Sequence, residues 1–302
     1  MRAGSVVSRQ GLALAGLADY IALTKPRVVV MILLTTIVGF WMASPGELAG
    51  IDLGLLALTL AGTALAGGGT LALNQYLEQE ADGLMTRTSG RPLPSGRMMP
   101  LEALAFGGAL TCTGLLILSL LVSAVSGLVT ALTVISYLFL YTPLKRRSAL
   151  CTVVGAFPGA LPPVTGWVAA GGALDAGAAA LFGILFFWQL PHSLAIAQLY
   201  REDYQRAGMK LLPTVDEGGG STGRQVVLNC LTLLAAGALP AALGIAGPLY
   251  LAAAMAMGLW LLVEGAGLAL TGTASSARRL LRATFLYIPV VLLAMAADKV
   301  AP

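Results

Sequence analysis

Charge is what this chain has least of. Only 11% of its 302 residues are Asp, Glu, Lys or Arg, against about 25% in soluble domains. With 57% hydrophobic residues and a mean hydropathy of +0.85, a single water-soluble core is excluded and a polytopic membrane protein is implied. Histidine occurs once, at His192. The three cysteines, Cys112, Cys151 and Cys230, stand apart with no C-x-x-C and no Cys/His pairing. That argues against zinc and iron–sulfur sites and makes the thiols small apolar packing residues. The alternating segments of about ten residues that a β-barrel needs are missing too. The net charge of +4 is no nucleic-acid signal, because the cations follow membrane topology.

What is present is glycine, 37 residues, and long apolar runs. Small residues let membrane helices approach closely, so a tight all-α bundle is expected. Runs of spanning length, about 17–25 residues, appear nine times, near 28–43, 53–77, 101–122, 125–141, 150–170, 176–199, 226–243, 249–270 and 280–297. Lys and Arg sit before the first run and between runs 2–3, 4–5, 6–7 and 8–9. The connections 1–2, 3–4, 5–6 and 7–8 have none, and only Lys299 falls elsewhere. This alternation predicts nine spans with a cytoplasmic N-terminus. Residues 1–27 read as a cytoplasmic leader with an interfacial helix; their acid-free start also fits an organellar presequence. Residues 28–302 read as one transmembrane domain with long cytoplasmic loops near 78–100 and 200–225. The Pro-rich stretch 157–163 predicts a broken fifth span, which is tolerated where backbone lines a cavity.

Polar groups gather most densely from Asn74 to Met98. If the second span continues through this stretch, Asn74, Glu78 and Asp82 fall at i, i+4 and i+8, within about 80° of arc, with Glu80 opposite. Such oxygen donors suit a hard cation such as Mg2+, which leaves positions for phosphate oxygens. Arg87, Arg91 and Arg97 follow, as a diphosphate ester would need; a solvated loop capping a membrane helix is the other reading. Lys145 and Arg146, after Pro143 stops the fourth span, are a topogenic loop or part of the same clamp. Continued as one helix, the sixth span would put Gln189, His192 and Asp203 on one stripe. His192 is then an interhelical hydrogen-bonding group, a haem-iron ligand or a polar substrate contact.

Several motifs resemble the UbiA superfamily of intramembrane prenyltransferases, in particular its haem-prenylating branch. N-x-x-x-E-x-x-x-D at Asn74–Asp82 is similar to the first metal motif, with Glu in place of the central Asp. T-K-P-R at Thr24, M-x-R-T-x-x-R-P-L at Met85, Y-T-x-L-K-R at Tyr141, W-Q-x-P-H at Trp188 and Y-R-x-D-Y at Tyr200 occur in the expected order. Many relatives carry a second D-x-x-x-D; here Glu202 and Asp203 are adjacent, and Asp203 is the preferred ligand.

The resemblance implies farnesyl transfer from farnesyl diphosphate to a vinyl group of haem b, with Mg2+ on Asn74, Glu78, Asp82 and Asp203. It further implies diphosphate contacts from Arg87, Arg91, Lys145 and Arg146, and His192 as the haem contact. It places the protein in a bacterial inner membrane, site facing the cytoplasm, rather than in a mitochondrial one. A haem A synthase or oxidase-assembly protein would be its partner. An aromatic or chlorophyllide acceptor is the enzyme alternative. A transporter is disfavoured because the ionisable groups lie on one side.

Overall fold

Apolar segments whose backbone amides find no water in a bilayer must satisfy them internally, and helices do so. The computed structural model of the chain is accordingly all-α. It describes residues 16–45 and 50–300; Arg2, Arg9 and the start of the leader lie outside them.

Among the described residues, eight helices are long and apolar enough to cross a membrane. These are α2 (Pro26–Ala43), α3 (Leu53–Leu84), α4 (Pro100–Leu116) with its extension to Val122, and α5 (Ala124–Ile135) with its extension through the short α6 (Thr142–Leu144). The others are α9 (Ala176–Leu199), α12 (Gly220–Ala242), α13 (Pro248–Thr271) and α14 (Ala274–Ala297). The fifth expected run is split into α7 (Cys151–Ala160) and α8 (Pro162–Ala169), which meet at Leu161. Pro158, Pro162 and Pro163 supply no N–H there, so a continuous helical ladder cannot form. Three short helices, α1 (Leu17–Leu23), α10 (Arg201–Arg206) and α11 (Leu212–Val215), lie in the connections.

Three local expectations change. Helix α3 runs past residue 77 to Leu84, carrying the polar stretch on a regular helix. Pro143 does not stop the fourth span: the preceding turns, Ser136–Tyr141, are wound wide, and Thr142 Oγ1 donates to the Tyr137 carbonyl at 2.8 Å. Helix α9 is interrupted at Tyr200 (φ −112°, ψ 31°), so His192 and Asp203 do not share one helical stripe.

The main core joins α9, α12, α13 and α14 through Ile184, Leu233, Leu261 and Tyr287, all fully buried. Helices α2 and α8 touch backbone to backbone: a methyl group at Gly39 would run into the Pro163 carbonyl oxygen, and one at Gly166 into that of Thr36. The basic connections gather at one end, where the Lys210 amide donates to the Lys145 carbonyl at 2.7 Å and Gln198 to the Gly272 carbonyl at 2.9 Å. At the other end the Lys299 ammonium donates to the Trp41 carbonyl at 2.7 Å and lies over its indole.

Candidate active site

Helix α3 carries Asn74, Glu78 and Asp82 on its inward face, 2%, 8% and 1% exposed, while Glu80 faces out. Carboxylates that deep need partners, and cations from two other elements supply them. Lys145, just beyond α6, lies 2.8 Å from Glu78 Oε1. Arg91, in the α3–α4 connection, lies 2.6 Å from Asp82 Oδ2. The connection is folded back onto the helix by Thr88, whose hydroxyl donates to the Asp82 carbonyl at 2.8 Å.

Lys25 completes the cluster. Its backbone is left-handed (φ 49°, ψ 66°) between α1 and α2, a conformation uncommon outside glycine. That geometry aims its ammonium at Asn74 Oδ1, 3.5 Å away, while Asn74 Nδ2 donates to Thr142 Oγ1 at 3.1 Å. Burial, and then the nearby Arg91 and Lys145 charges, lower the Lys25 pKa to about 7. Burial also works against the Lys145 charge, but Tyr141 and Glu78 outweigh it and hold the ammonium well above its usual range. Lys145 further lies 4.4 Å from the centre of the Tyr141 ring. Lys145 and Arg91 thus balance Glu78 and Asp82, and Lys25, only partly protonated at neutral pH, adds a partial positive charge that an incoming anion would complete.

Asp203 sits on α10 beside this cluster. It accepts the Thr86 and Arg87 backbone amides, each at 3.4 Å, and pairs with Arg206. Burial would raise its pKa, but those amides and Arg206 hold it below the usual carboxylate range. Arg87 itself is exposed, donating to the Tyr204 hydroxyl at 3.2 Å and lying 5.0 Å from the Tyr200 ring centre. Arg97 pairs with Asp19 instead, and Arg146 is exposed. Among the described residues no three His, Cys, Asp or Glu side chains group as a metal site; the donors on α3 are two carboxylates and one amide.

A cavity of about 590 Å3 lies in the bundle between α2, α3, α5, α7, α8, α9 and α14, lined mostly by apolar groups; Tyr141 connects it to the cluster through Lys145. Tyr141, Gly155 and Thr152 line its polar end. His192 and Gln189 line its flank. His192 Nδ1 is 2.9 Å from Thr284 Oγ1, and its ring stacks on Trp188 with centroids 4.9 Å apart. The broken α7–α8 pair forms one wall, as the prolines and glycine of 157–163 implied.

Lys25 and Tyr141 were not singled out as site residues by sequence reasoning. In the sequence Lys25 reads as one of the topogenic cations before the first run, marked otherwise only by the T-K-P-R motif.

A helical membrane bundle with a charged cluster at the mouth of a lipophilic chamber is the architecture of an intramembrane transferase for an anionic lipid. The chain matches the UbiA prenyltransferase family over residues 32–289 and belongs to it. It is 47% identical over 287 residues to a protoheme IX farnesyltransferase of Solibacter usitatus, covering 93% of this chain and 98% of that protein. Its fold is that of a solved digeranylgeranylglyceryl phosphate synthase, with TM-score 0.78, 19% identity and coverage of 93% and 98% of the two chains. It is also that of a UbiA homolog from Archaeoglobus fulgidus bound to GPP and Mg2+, with TM-score 0.67, 18% identity and coverage of 90% and 100%.

Proposed function

We infer that this protein is a protoheme IX farnesyltransferase, a haem O synthase. It transfers farnesyl from farnesyl diphosphate to a vinyl group of haem b. The observation that carries this is near-full-length identity of 47% to a protein of that activity. The half-buried clamp of Lys25, Arg91 and Lys145 beside the chamber agrees with it.

In the reaction the C1–O bond of farnesyl diphosphate breaks and both electrons leave with diphosphate. The vinyl π-electrons of haem form the new C–C bond, and water adds to the resulting cation with loss of a proton. Lys145, Arg91 and Lys25, with Arg87 and Arg146 nearer the surface, would bind the diphosphate and stabilise its growing charge. The apolar walls hold the prenyl chain and keep water from the allylic cation. His192 and Gln189 would contact the porphyrin from the chamber flank. Asn74, Glu78 and Asp82 would hold Mg2+; Asp203, expected as a further ligand, instead accepts the Thr86 and Arg87 amides and pairs with Arg206, and does not group with them. The donor set fits a hard cation, because Arg91 takes only Oδ2 of Asp82 and leaves Oδ1 as an oxygen donor. Bound there, the ion would neutralise the leaving group.

We further propose nine spans, with α7 and α8 together forming the fifth, and an N-terminus and active site on the cytoplasmic side of a bacterial inner membrane. Residues 28–302 would then form one domain, and the product would pass to a haem A synthase or oxidase-assembly partner. The orientation rests on the gathering of the basic connections at one end. The test of function is expression in cells that lack haem O, followed by haem extraction and mass analysis. Farnesylated haem is expected; its absence when protein and both substrates are present rejects the assignment.

A further inference from the structure

Thr284 of α14 makes two contacts to α9, and they fall one helical turn apart. Its backbone carbonyl accepts the Trp188 indole N–H at 2.8 Å, and its hydroxyl lies 2.9 Å from His192 Nδ1. The Trp188 ring in turn stacks on the imidazole, with centroids 4.9 Å apart and 18° between the planes. Phe285, the next residue of α14, meets the imidazole at 5.2 Å with the planes 82° apart. Thr284 is fully buried, and Trp188, His192 and Phe285 all line the chamber. Neighbours on two helices thus hold the His192 ring in one plane.

The hydrogens decide what that geometry presents. A threonine hydroxyl has one hydrogen to donate and lone pairs with which to accept; a neutral imidazole has one N–H and one bare nitrogen. Thr284 Oγ1 lies 2.7 Å from the Leu281 carbonyl, which can only accept. When the hydroxyl donates there, it accepts from His192, and Nδ1 carries the hydrogen. Both hydrogens are then bonded. In the opposite tautomer the hydroxyl must turn from Leu281 to Nδ1, and the imidazole hydrogen sits on Nε2, which has no acceptor among the described residues. That arrangement makes one hydrogen bond in place of two and leaves an N–H unpaired beside apolar walls, a costly state away from water.

We propose that Thr284 is a positioning residue: it holds His192 in the Nδ1–H form and so presents the bare Nε2 as the axial ligand of the acceptor's haem iron. The proposal rests on the haem assignment made under Proposed function. A neutral imidazole binds a metal through the nitrogen that lacks hydrogen, and its other N–H is ordinarily anchored by an acceptor. Nδ1 is the anchored nitrogen here, so Nε2 is the ligating one. An axial bond grips the porphyrin by its centre and leaves the vinyl groups on its rim open to the farnesyl cation.

His192 is the only histidine in the chain, so isotopic labelling of the histidine ring nitrogens reads this residue alone. Full-length protein with a histidine-free tag is placed in lipid bilayers at about pH 8, above the ordinary imidazole pKa. Solid-state NMR should show a protonated Nδ1 and a bare Nε2. Thr284→Ser, which keeps the hydroxyl, should give the same pair of signals. Thr284→Val keeps the backbone carbonyl that holds Trp188 but offers Nδ1–H no acceptor, and should give a substantial Nε2–H fraction. Thr284→Ala carries the same expectation where the Val variant is not recovered. Wild type in the Nε2–H form overturns the proposal, as does an unchanged tautomer in the variant without a hydroxyl.

A second arm adds zinc protoporphyrin, a diamagnetic metalloporphyrin that takes one axial ligand. Its binding should shift the Nε2 signal and leave Nδ1 protonated. The Val variant should bind it about 10- to 100-fold more weakly, the usual loss when the acceptor behind a ligating histidine is removed. No binding, binding that leaves Nε2 unmoved, or equal affinity in the two proteins overturns the ligand role. Wild type that makes no farnesylated haem yet passes both arms rejects the farnesyltransferase assignment and keeps the ligand. Wild type that makes it and fails either arm rejects the ligand alone.

Discussion

At the scale of single residues, the site works by placing charges where water is scarce. Asp82 is 1% exposed and held at 2.6 Å by Arg91. Asp82→Asn keeps its shape but removes a charge from the proposed ion site. Its kcat/KM for haem farnesylation should fall about 10²–10³-fold, with the folded protein still recovered from the membrane; unchanged turnover would remove Asp82 from the site. Lys25 makes a different contribution. It sits near a neutral partner, Asn74, and two like charges, so its ammonium is poised for an incoming anion. Lys25→Met should weaken binding of a farnesyl thiodiphosphate analogue about 10- to 100-fold, the worth of a charged hydrogen bond, as read by titration calorimetry. The Asn74, Glu78 and Asp82 face was legible from the sequence because helical periodicity alone fixes it. Lys25 was not, since only its left-handed backbone turns it from the topological count into the cluster.

At the scale of elements, two devices shape the chamber. One is the break at Leu161, where α7 ends and α8 begins, with the Thr36 hydroxyl of α2 reaching the Pro162 carbonyl beside it. The other is the glycine contact between α2 and α8. Gly166→Ala forces a methyl into the Thr36 carbonyl and should cost about 1–3 kcal/mol, as overpacking does. A lowered melting temperature of the detergent-solubilised protein checks this, with Gly183→Ala, where the added methyl meets only an ordinary contact, as control. The connection before α12 carries a further device. Asp216 accepts the Thr222 amide at 2.7 Å. Burial opposes its charge, yet the Thr222 and Ser221 amides hold its pKa below the usual value. A depressed carboxylate pKa stabilises the fold above the unfolded value of 3.8, and that contribution disappears as pH falls through the folded value. Asp216→Asn should therefore speed proteolysis of this connection at neutral pH and make no difference at strongly acidic pH. The proline cluster made the break legible in advance. The glycine contact was not, because Gly39 and Gly166 lie far apart in the chain and nothing local pairs them.

At the scale of the whole molecule, the basic connections share one end and the chamber opens beside them. With the proposed orientation, a cysteine placed at Gly90 in a background lacking native cysteines should react with a membrane-impermeant maleimide only in inverted vesicles. One placed at Gly171, in the turn after α8, should react only in intact cells. The reverse pattern would place the site on the outer face. The sequence by itself determined that the chain is a helical membrane bundle and which connections lie together, because hydropathy and charge act on each segment separately. It also determined the inward face of α3, which needs only the 3.6-residue period. Tertiary structure alone decided that Lys145 and Arg91 meet Glu78 and Asp82, that Asp203 leaves the His192 stripe at the Tyr200 break, and how deep the chamber runs. Those depend on which helices touch, and contacts between segments distant in sequence leave no periodic trace in either one.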